Sequence, residues 1–317
     1  MTGTAQDGVP NRDPRRSYGV YAGLVVMAVC WGGAFVAGRV ATAEIAPAMA
    51  ALLRFVVASV ALLLVALVVE KGLPRIAPRQ WIAVALMGVT GVVIFNLCFM
   101  YGLARAPASR GALIMALNPA LTLLGAIVFL HEEVTRAKVL GIAIALAGVV
   151  VVLGHGNPAN LLHGTVGPGD VVLLGCPLAW AAYSLIGKHA LPGLSAVAVT
   201  TYAALLGTAV LAVVTVALGE FAWPSASWRA WSGIGFTGLF GTALAFLLFY
   251  RGVRAIGPAR TAVFINLVPV VAVLLGVLLL GESLEVSMLV GGVLVVAGVL
   301  LLNRPGHART VPSPQAT

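Results

Sequence analysis

Few residues in this chain could carry chemistry, and they are widely spaced. The ten acidic residues are Asp7, Asp13, Glu44, Glu70, Glu132, Glu133, Asp170, Glu220, Glu282 and Glu285, and none falls inside an apolar run. The five histidines, His131, His155, His163, His189 and His307, are scattered, with no HExxH and no metal-ligand spacing. Cys30, Cys98 and Cys176 lie inside apolar runs without a CxxC, and read as small packing side chains. No GxxxxGK[ST] loop is present, so a single-chain ATP-driven pump is excluded. No metal, no cofactor and no catalytic residues are expected.

What remains is chemistry of binding. Arg54 stands inside an apolar run, where a charge costs roughly 2.5–3.5 kcal/mol on the insertion scale. It either snorkels or bonds neighbouring carbonyls, or it faces a cavity and meets a carboxylate or phosphate. Trp31 and Phe35 share one helical face, as do Trp180, Tyr183 and Ser184, at matching depths of two runs. Aromatic walls with a few polar groups suit a small-ligand site. An interfacial belt is the other reading of the tryptophans. Asn96, Asn118 and Asn266 complete the cavity candidates. Pro119 and Pro269 fall well inside their runs and are expected to kink the helices, with Asn118 and Asn266 placed either to satisfy freed backbone groups or to hydrogen-bond a neighbouring helix. Glu132 and Glu282 follow run ends, where the helix dipole disfavours an anion, and are expected to bond a loop amide or a nearby Arg.

The elements that must position these residues are membrane helices. The chain has 317 residues, of which 61% are hydrophobic and 9% charged, with a mean hydropathy of +1.05. A soluble protein carries roughly 25% charged residues. Ten apolar runs recur, at 17–38, 45–69, 80–104, 111–130, 139–154, 171–187, 191–219, 230–250, 261–281 and 286–303. Most reach the ~20 residues that span a hydrocarbon core about 30 Å thick. The first run is too long for a cleaved signal peptide and is expected to stay. Strand alternation is absent, which excludes a β-barrel.

The net charge of +9 does not indicate nucleic-acid binding, because the basic residues sit in short gaps between runs. They orient the chain instead. With the N-terminus cytoplasmic, 14 Lys and Arg fall inside and 4 outside, so both termini are expected in the cytoplasm and the 155–169 loop outside. The expected location is the cell's inner (plasma) membrane. The partners are the lipid bilayer and a small-molecule substrate, without nucleic acid, and a homodimer stays open.

The chain also repeats. A shift of 150 residues places Trp81 on Trp231, Gly88 on Gly238, Arg110 on Arg260, Pro119 on Pro269, Glu132 on Glu282 and Gly148 on Gly298. A shift of 149 places Trp31 on Trp180 and Gly38 on Gly187. The fold class is therefore an all-α membrane protein with ten transmembrane helices in two five-helix repeats. An odd number of crossings per repeat inverts the second against the first. The expected organisation is a tail at 1–16, repeats at 17–154 and 170–303 joined by the 155–169 loop, and a tail at 304–317.

The pattern resembles the ten-helix EamA-domain exporters of the drug/metabolite transporter superfamily. The resemblance is carried by Cys30-Trp31-Gly32-Gly33-Ala34-Phe35, by Arg54, and by two late-half signatures. One runs from Pro119 through Leu130, His131, Glu132 and Glu133 to Gly141 and Ala147-Gly148-Val149. Its copy runs from Pro269 through Leu280, Gly281, Glu282 and Ser283 to Gly291 and Ala297-Gly298-Val299. It implies ten helices, cytoplasmic termini and a substrate cavity between the halves. The function expected is secondary transport, by export, of amino acids, related metabolites or drug-like solutes. A channel or a lipid-modifying membrane enzyme stays as the alternative.

Overall fold

The computed structural model describes residues 14–302 apart from 75, 164–165 and 191–193. Residues 1–13 of the expected N-terminal tail and all of the expected C-terminal tail lie outside the described residues, and residues 14–16 already belong to the first helix. Nine helices among the described residues are long and apolar enough to span a membrane. They are α1 (Tyr18–Thr42), α2 (Pro47–Val68), α3 (Pro78–Leu103), α4 (Ala108–Leu130), α5 (Arg136–Leu153), α6 (Pro168–Gly187), α7 (Ala196–Ala217), α8 (Trp228–Ile256) and α9 (Arg260–Leu280). A shorter apolar helix, α10 (Val286–Leu302), completes the ten. The protein is thus an all-helical membrane protein of ten helices, with no strand among the described residues.

Local chemistry sets the helix ends. Pro47, Pro78 and Pro168 open helices where the missing N–H costs nothing. The hydroxyls of Thr135, Ser195 and Ser227 accept from the amides of Lys138, Ala198 and Ala230 at the starts of α5, α7 and α8. α4 and α9 end on a left-handed residue, His131 at φ 53° and Gly281 at φ 65°.

Four helices are not continuous α-helix. α3 and α8 each widen into a π-helical stretch, Gly88–Ile94 and Phe236–Leu244, at repeat-related places. Such wide turns leave carbonyls free for side chains and cluster at functional sites. α4 and α9 break at 116–117 and at Asn266. The two prolines expected as kinks stand just after these breaks. Pro119 is in the first turn of the segment Asn118–Leu130, and Pro269 in the first turn of Leu267–Leu280. Each thus follows a break, where a proline N–H would be unpaired anyway. The proline inside a continuous helix is Pro177 of α6.

Small residues set the closest packing. Gly141 and Gly148 of α5 face Gly298 and Gly291 of α10. A Cβ on Gly148 would lie 2.6 Å from the Gly291 carbonyl oxygen, and one on Gly298 would lie 2.6 Å from that of Gly141. Without a hydrophobic drive between helices in lipid, this backbone approach supplies the packing. Large apolar side chains such as Leu64, Phe129, Leu278 and Val293 point outward, as a lipid-facing surface requires.

Candidate functional site

The broken and widened helices surround a cavity of about 460 Å³. Trp31, Ala34 and Phe35 of α1, Phe95 and Phe99 of α3, Trp180 and Ser184 of α6, and Phe246 of α8 form its aromatic body. Phe246 stands between the two tryptophans, edge-on to Trp31 at 5.8 Å and stacked on Trp180 at 6.1 Å between ring centroids. Both segments of α4 and both segments of α9 supply wall, including Asn118, Pro119, Asn266 and Pro269.

Arg54 enters this space from α2 and is 6% exposed. Its guanidinium lies over the Phe99 ring at 5.1 Å. Nη2 donates to Thr242 Oγ1 at 3.2 Å. Nε and Nη1 are buried with no hydrogen-bond partner in the protein. Thr242 belongs to the π-helical stretch of α8 and donates to the Thr237 carbonyl five residues back at 2.9 Å, which turns its oxygen lone pairs toward Arg54. The helices also touch here: a Cβ on Gly238 would lie 2.8 Å from the Arg54 carbonyl oxygen.

The structure brings together most of the candidate residues. Trp31, Phe35, Arg54, Asn118, Trp180, Ser184, Asn266, Pro119 and Pro269 all line the cavity. Asn96 and Tyr183 do not. The Asn96 side chain turns back to the Val92 carbonyl, 2.7 Å away, one of those released by the wide turn of α3. Tyr183 lies under Gly91 of that turn, where a Cβ would collide with its ring, and its hydroxyl joins Thr200 and Tyr250. Asn118 Oδ1 and Asn266 Nδ2 are buried without partners, so neither satisfies a freed backbone group with that atom. Thr242 is a site residue that the sequence pattern did not single out.

The two ends of the bundle differ. The end carrying Arg39, Arg105, Arg110 and Arg229 is tied shut. Arg39 Nη1 donates to the Leu103 carbonyl at 2.5 Å. The Glu282 carboxylate accepts from the amides of Ala108 (2.7 Å) and Ser109 (3.0 Å) at the start of α4. Arg110 pairs with the buried Asp170 at 2.9 Å and donates to His155 Nε2 at 2.7 Å, and His155 Nδ1 reaches Glu285 at 2.7 Å. Arginine has only donors, so Nε2 accepts and Nδ1 carries the hydrogen given to Glu285. Burial works against the Glu285 charge, but the hydrogen bonds from His155 and Ser287 outweigh it and hold the carboxyl below its usual range. Glu44 is held low as well, by the Ser227 hydroxyl and amide.

At the basic end, with Lys71, Lys138, Arg251 and Arg254, the cavity wall runs out to Glu132. The Glu132 side chain is 41% exposed and lies 3.5 Å from Lys138. The lining thus reaches this end beside the last turns of α4 and the first segment of α9.

A ten-helix membrane bundle with an aromatic cavity between its halves, closed at one end, belongs to the class of membrane transporters. The chain is a member of the EamA-like transporter family, which matches residues 19–154 and 167–304. It is 29% identical over 283 residues to the "Uncharacterized transporter YyaM" of Bacillus subtilis, covering 89% of this chain and 92% of that one. It is 31% identical over 293 residues to the "Probable terminal-alkyne amino-acid exporter" of Streptantibioticus cattleyicolor, covering 92% and 96%. It is 29% identical over 286 residues to the "Uncharacterized inner membrane transporter YedA" of Escherichia coli K12, covering 89% and 90%. A solved crystal structure, 20% identical, shares the fold with a TM-score of 0.63 over 90% of this chain and 97% of that chain.

Proposed function

We propose that this protein is a secondary transporter that exports small amphipathic organic solutes by alternating access. The two moving units are residues 17–154 and 170–303, linked by 155–169. The basic end is the cytoplasmic end, in keeping with the positive-inside rule, and both termini lie there in the inner membrane. The cavity then faces the cytoplasm, ready to load.

The observation that carries this reading is the difference between Glu132 and Glu282. The repeat makes them equivalent. Both follow a left-handed residue at a helix end, and their amides return to equivalent carbonyls, Ala126 at 3.3 Å and Gly276 at 3.2 Å. Yet Glu282 closes on the first turn of α4, while the Glu132 side chain is 41% exposed and lies beside Lys138. Another repeat-related pair keeps its ties at both ends. Glu220 accepts from the Ala48 amide at the start of α2, and Glu70 accepts from the Ser195 hydroxyl at the start of α7. A bundle of two inverted halves that is closed at one end has a natural second state, closed at the other. Organic solutes of amino-acid type fit the cavity's size and aromatic lining, and an amino-acid exporter stands among the relatives.

The test is counterflow in proteoliposomes with an unlabelled solute panel trapped inside. A carrier gives saturable, trans-stimulated uptake of the labelled partner. Uptake that rises linearly with concentration would replace this reading with a channel. Orientation is tested separately by labelling Ala159→Cys, an exposed position of the 155–169 loop, with an impermeant maleimide. Reaction in intact cells is expected, and reaction only after lysis reverses the assignment of the two ends.

A further inference from the structure

The Arg54 guanidinium marks a subsite with its own chemistry. We propose that it holds the single carboxylate of a solute whose apolar body lies among Trp31, Trp180 and Phe246. This inference rests on the transporter reading and names the substrate class for the same cavity.

Arg54 does not snorkel, since it is 6% exposed, and among the described residues it takes no neighbouring carbonyl. Among the described residues its hydrogen bond goes to a neutral hydroxyl, and the aromatic faces of Phe99 and Phe55 contribute only cation–π contact. Guanidinium stays charged, so a full positive charge sits in a low-dielectric space with donors at Nε and Nη1 unused. A cation buried in this way is normally met by an anion. Nη2 carries two hydrogens, one on each edge of the fork. Whichever one serves Thr242, an edge with two parallel N–H groups remains for both oxygens of a carboxylate.

The remaining lining sets the rest of the ligand. The carboxylate among the described lining residues is Glu132, at the end of α4 and beside Lys138, so the described lining sets no carboxylate beside Arg54 to pair with an ammonium group. One cation suits one negative charge better than a phosphate dianion. The walls around it are aromatic and aliphatic, which favours an apolar body. The unpartnered Asn118 Oδ1 and Asn266 Nδ2 can take a second, neutral polar group.

The test uses the purified full-length protein in a neutral detergent, with 3-phenylpropionate, 3-phenylpropionamide and 3-phenylpropylamine as probes in calorimetric titrations. The acid is expected to bind roughly tenfold or more tighter than the amide, as one charge-assisted pair allows. In Arg54→Gln the two should bind alike. In Arg54→Lys the acid should keep a reduced preference, because a point charge replaces the planar fork. The comparison of acid with amide in the unaltered protein does not depend on either variant folding. Equal binding of acid and amide, no binding of any probe, or an acid preference that persists in Arg54→Gln overturns the proposal. So does loss of acid binding on adding phosphatidylglycerol, which would assign the guanidinium to a lipid headgroup. Counterflow of the same probes separates the two readings. Saturable flux of the amide or amine without acid preference keeps the transporter and removes this subsite. Acid-selective binding without saturable flux of any probe does the reverse.

Discussion

Glu282 and Glu132 stand 150 residues apart on equivalent backbone turns, and Glu282 caps the helix that faces it while Glu132 lies exposed beside Lys138. Its two amide partners, Ala108 and Ser109, open α4. There the carboxylate also meets the positive end of the helix dipole. Gly276 makes room for it, since a Cβ there would lie 2.7 Å from Glu282 Oε2. The equivalent position on the other half is Ala126, so a closed Glu132 would need a slightly different approach.

Glu282→Ala is therefore expected to loosen the closed end by about 1.5–3 kcal/mol, the range for a hydrogen bond to a charged group. Ser109→Cys, buried under that cap, reports the change. Its rate of reaction with an impermeant maleimide should rise at least tenfold in the Glu282→Ala background. Glu132→Ala should leave that rate unchanged or lower, and should slow counterflow by removing the cap from the opposite state. An unchanged labelling rate in Glu282→Ala would make the contact incidental to closure.

The Arg110–Asp170 pair makes a stronger claim on stability. Both side chains are buried, and Asp170 also accepts from the Gly167 amide at 3.0 Å. Asp170→Asn leaves the Arg110 charge in a closed interior, with an expected loss of about 3–5 kcal/mol. Thermal unfolding in detergent should show a large drop in Tm. Arg110→Met together with Asp170→Leu should recover much of it, because the pair's own net contribution is small.

Much of this architecture is legible in the chain itself. The ten apolar runs, the repeat through Trp81/Trp231 and Pro119/Pro269, and the aromatic faces around Trp31 and Trp180 all follow from composition and spacing. The wide turns of α3 and α8 do not, since glycines at 88, 91, 238 and 241 read equally well as packing contacts. Those turns decide three placements that helical periodicity misses. They turn Asn96 onto its own backbone, seat Tyr183 beneath Gly91, and aim Thr242 at Arg54. Glu70 and Glu220 share the 150-residue spacing, but spacing cannot tell a capping carboxylate from a hydrated one.

Gly148 tests whether α5 and α10 form a fixed seam. A Cβ there would meet the Gly291 oxygen at 2.6 Å and the Val295 amide nitrogen at 2.8 Å, both backbone atoms that cannot rotate away. Gly148→Ala should cost about 1–3 kcal/mol through forced separation of the helices. Gly235→Ala, where a Cβ meets nothing within 4 Å, is the control and should leave Tm within a degree or two.

The pH response of the closed end follows from Glu285. Its carboxyl titrates below the unfolded value of about 4.3, so its contribution is fully present above that pH. That contribution is lost as pH falls through the lower folded value. The His155–Glu285 pair is about one-third exposed, which limits it to about 1 kcal/mol or less. Tm measured between pH 6 and pH 3 should fall less steeply in Glu285→Gln than in the unaltered protein. Parallel curves would remove Glu285 from the closure.

The last prediction concerns the driving force. Proton-coupled carriers usually place a carboxylate or histidine within the membrane as a relay. Here the acid nearest the cavity is Glu132, at its mouth, and Asp170 is already neutralised by Arg110. A carboxylate solute held by Arg54 needs no such relay. Exporting one negative charge from an inside-negative cell gains about 2.3 kcal/mol per 100 mV, roughly a fiftyfold concentration ratio. Counterflow should therefore proceed without any imposed pH gradient. Net flux of 3-phenylpropionate should respond to a potassium–valinomycin potential, and the amide should not respond. Accumulation that requires a pH gradient and collapses with a protonophore would show proton coupling instead. In that case Glu132→Gln should abolish the accumulation while leaving acid binding at Arg54 intact, since the proton would then be carried at the mouth and the solute at the cavity wall.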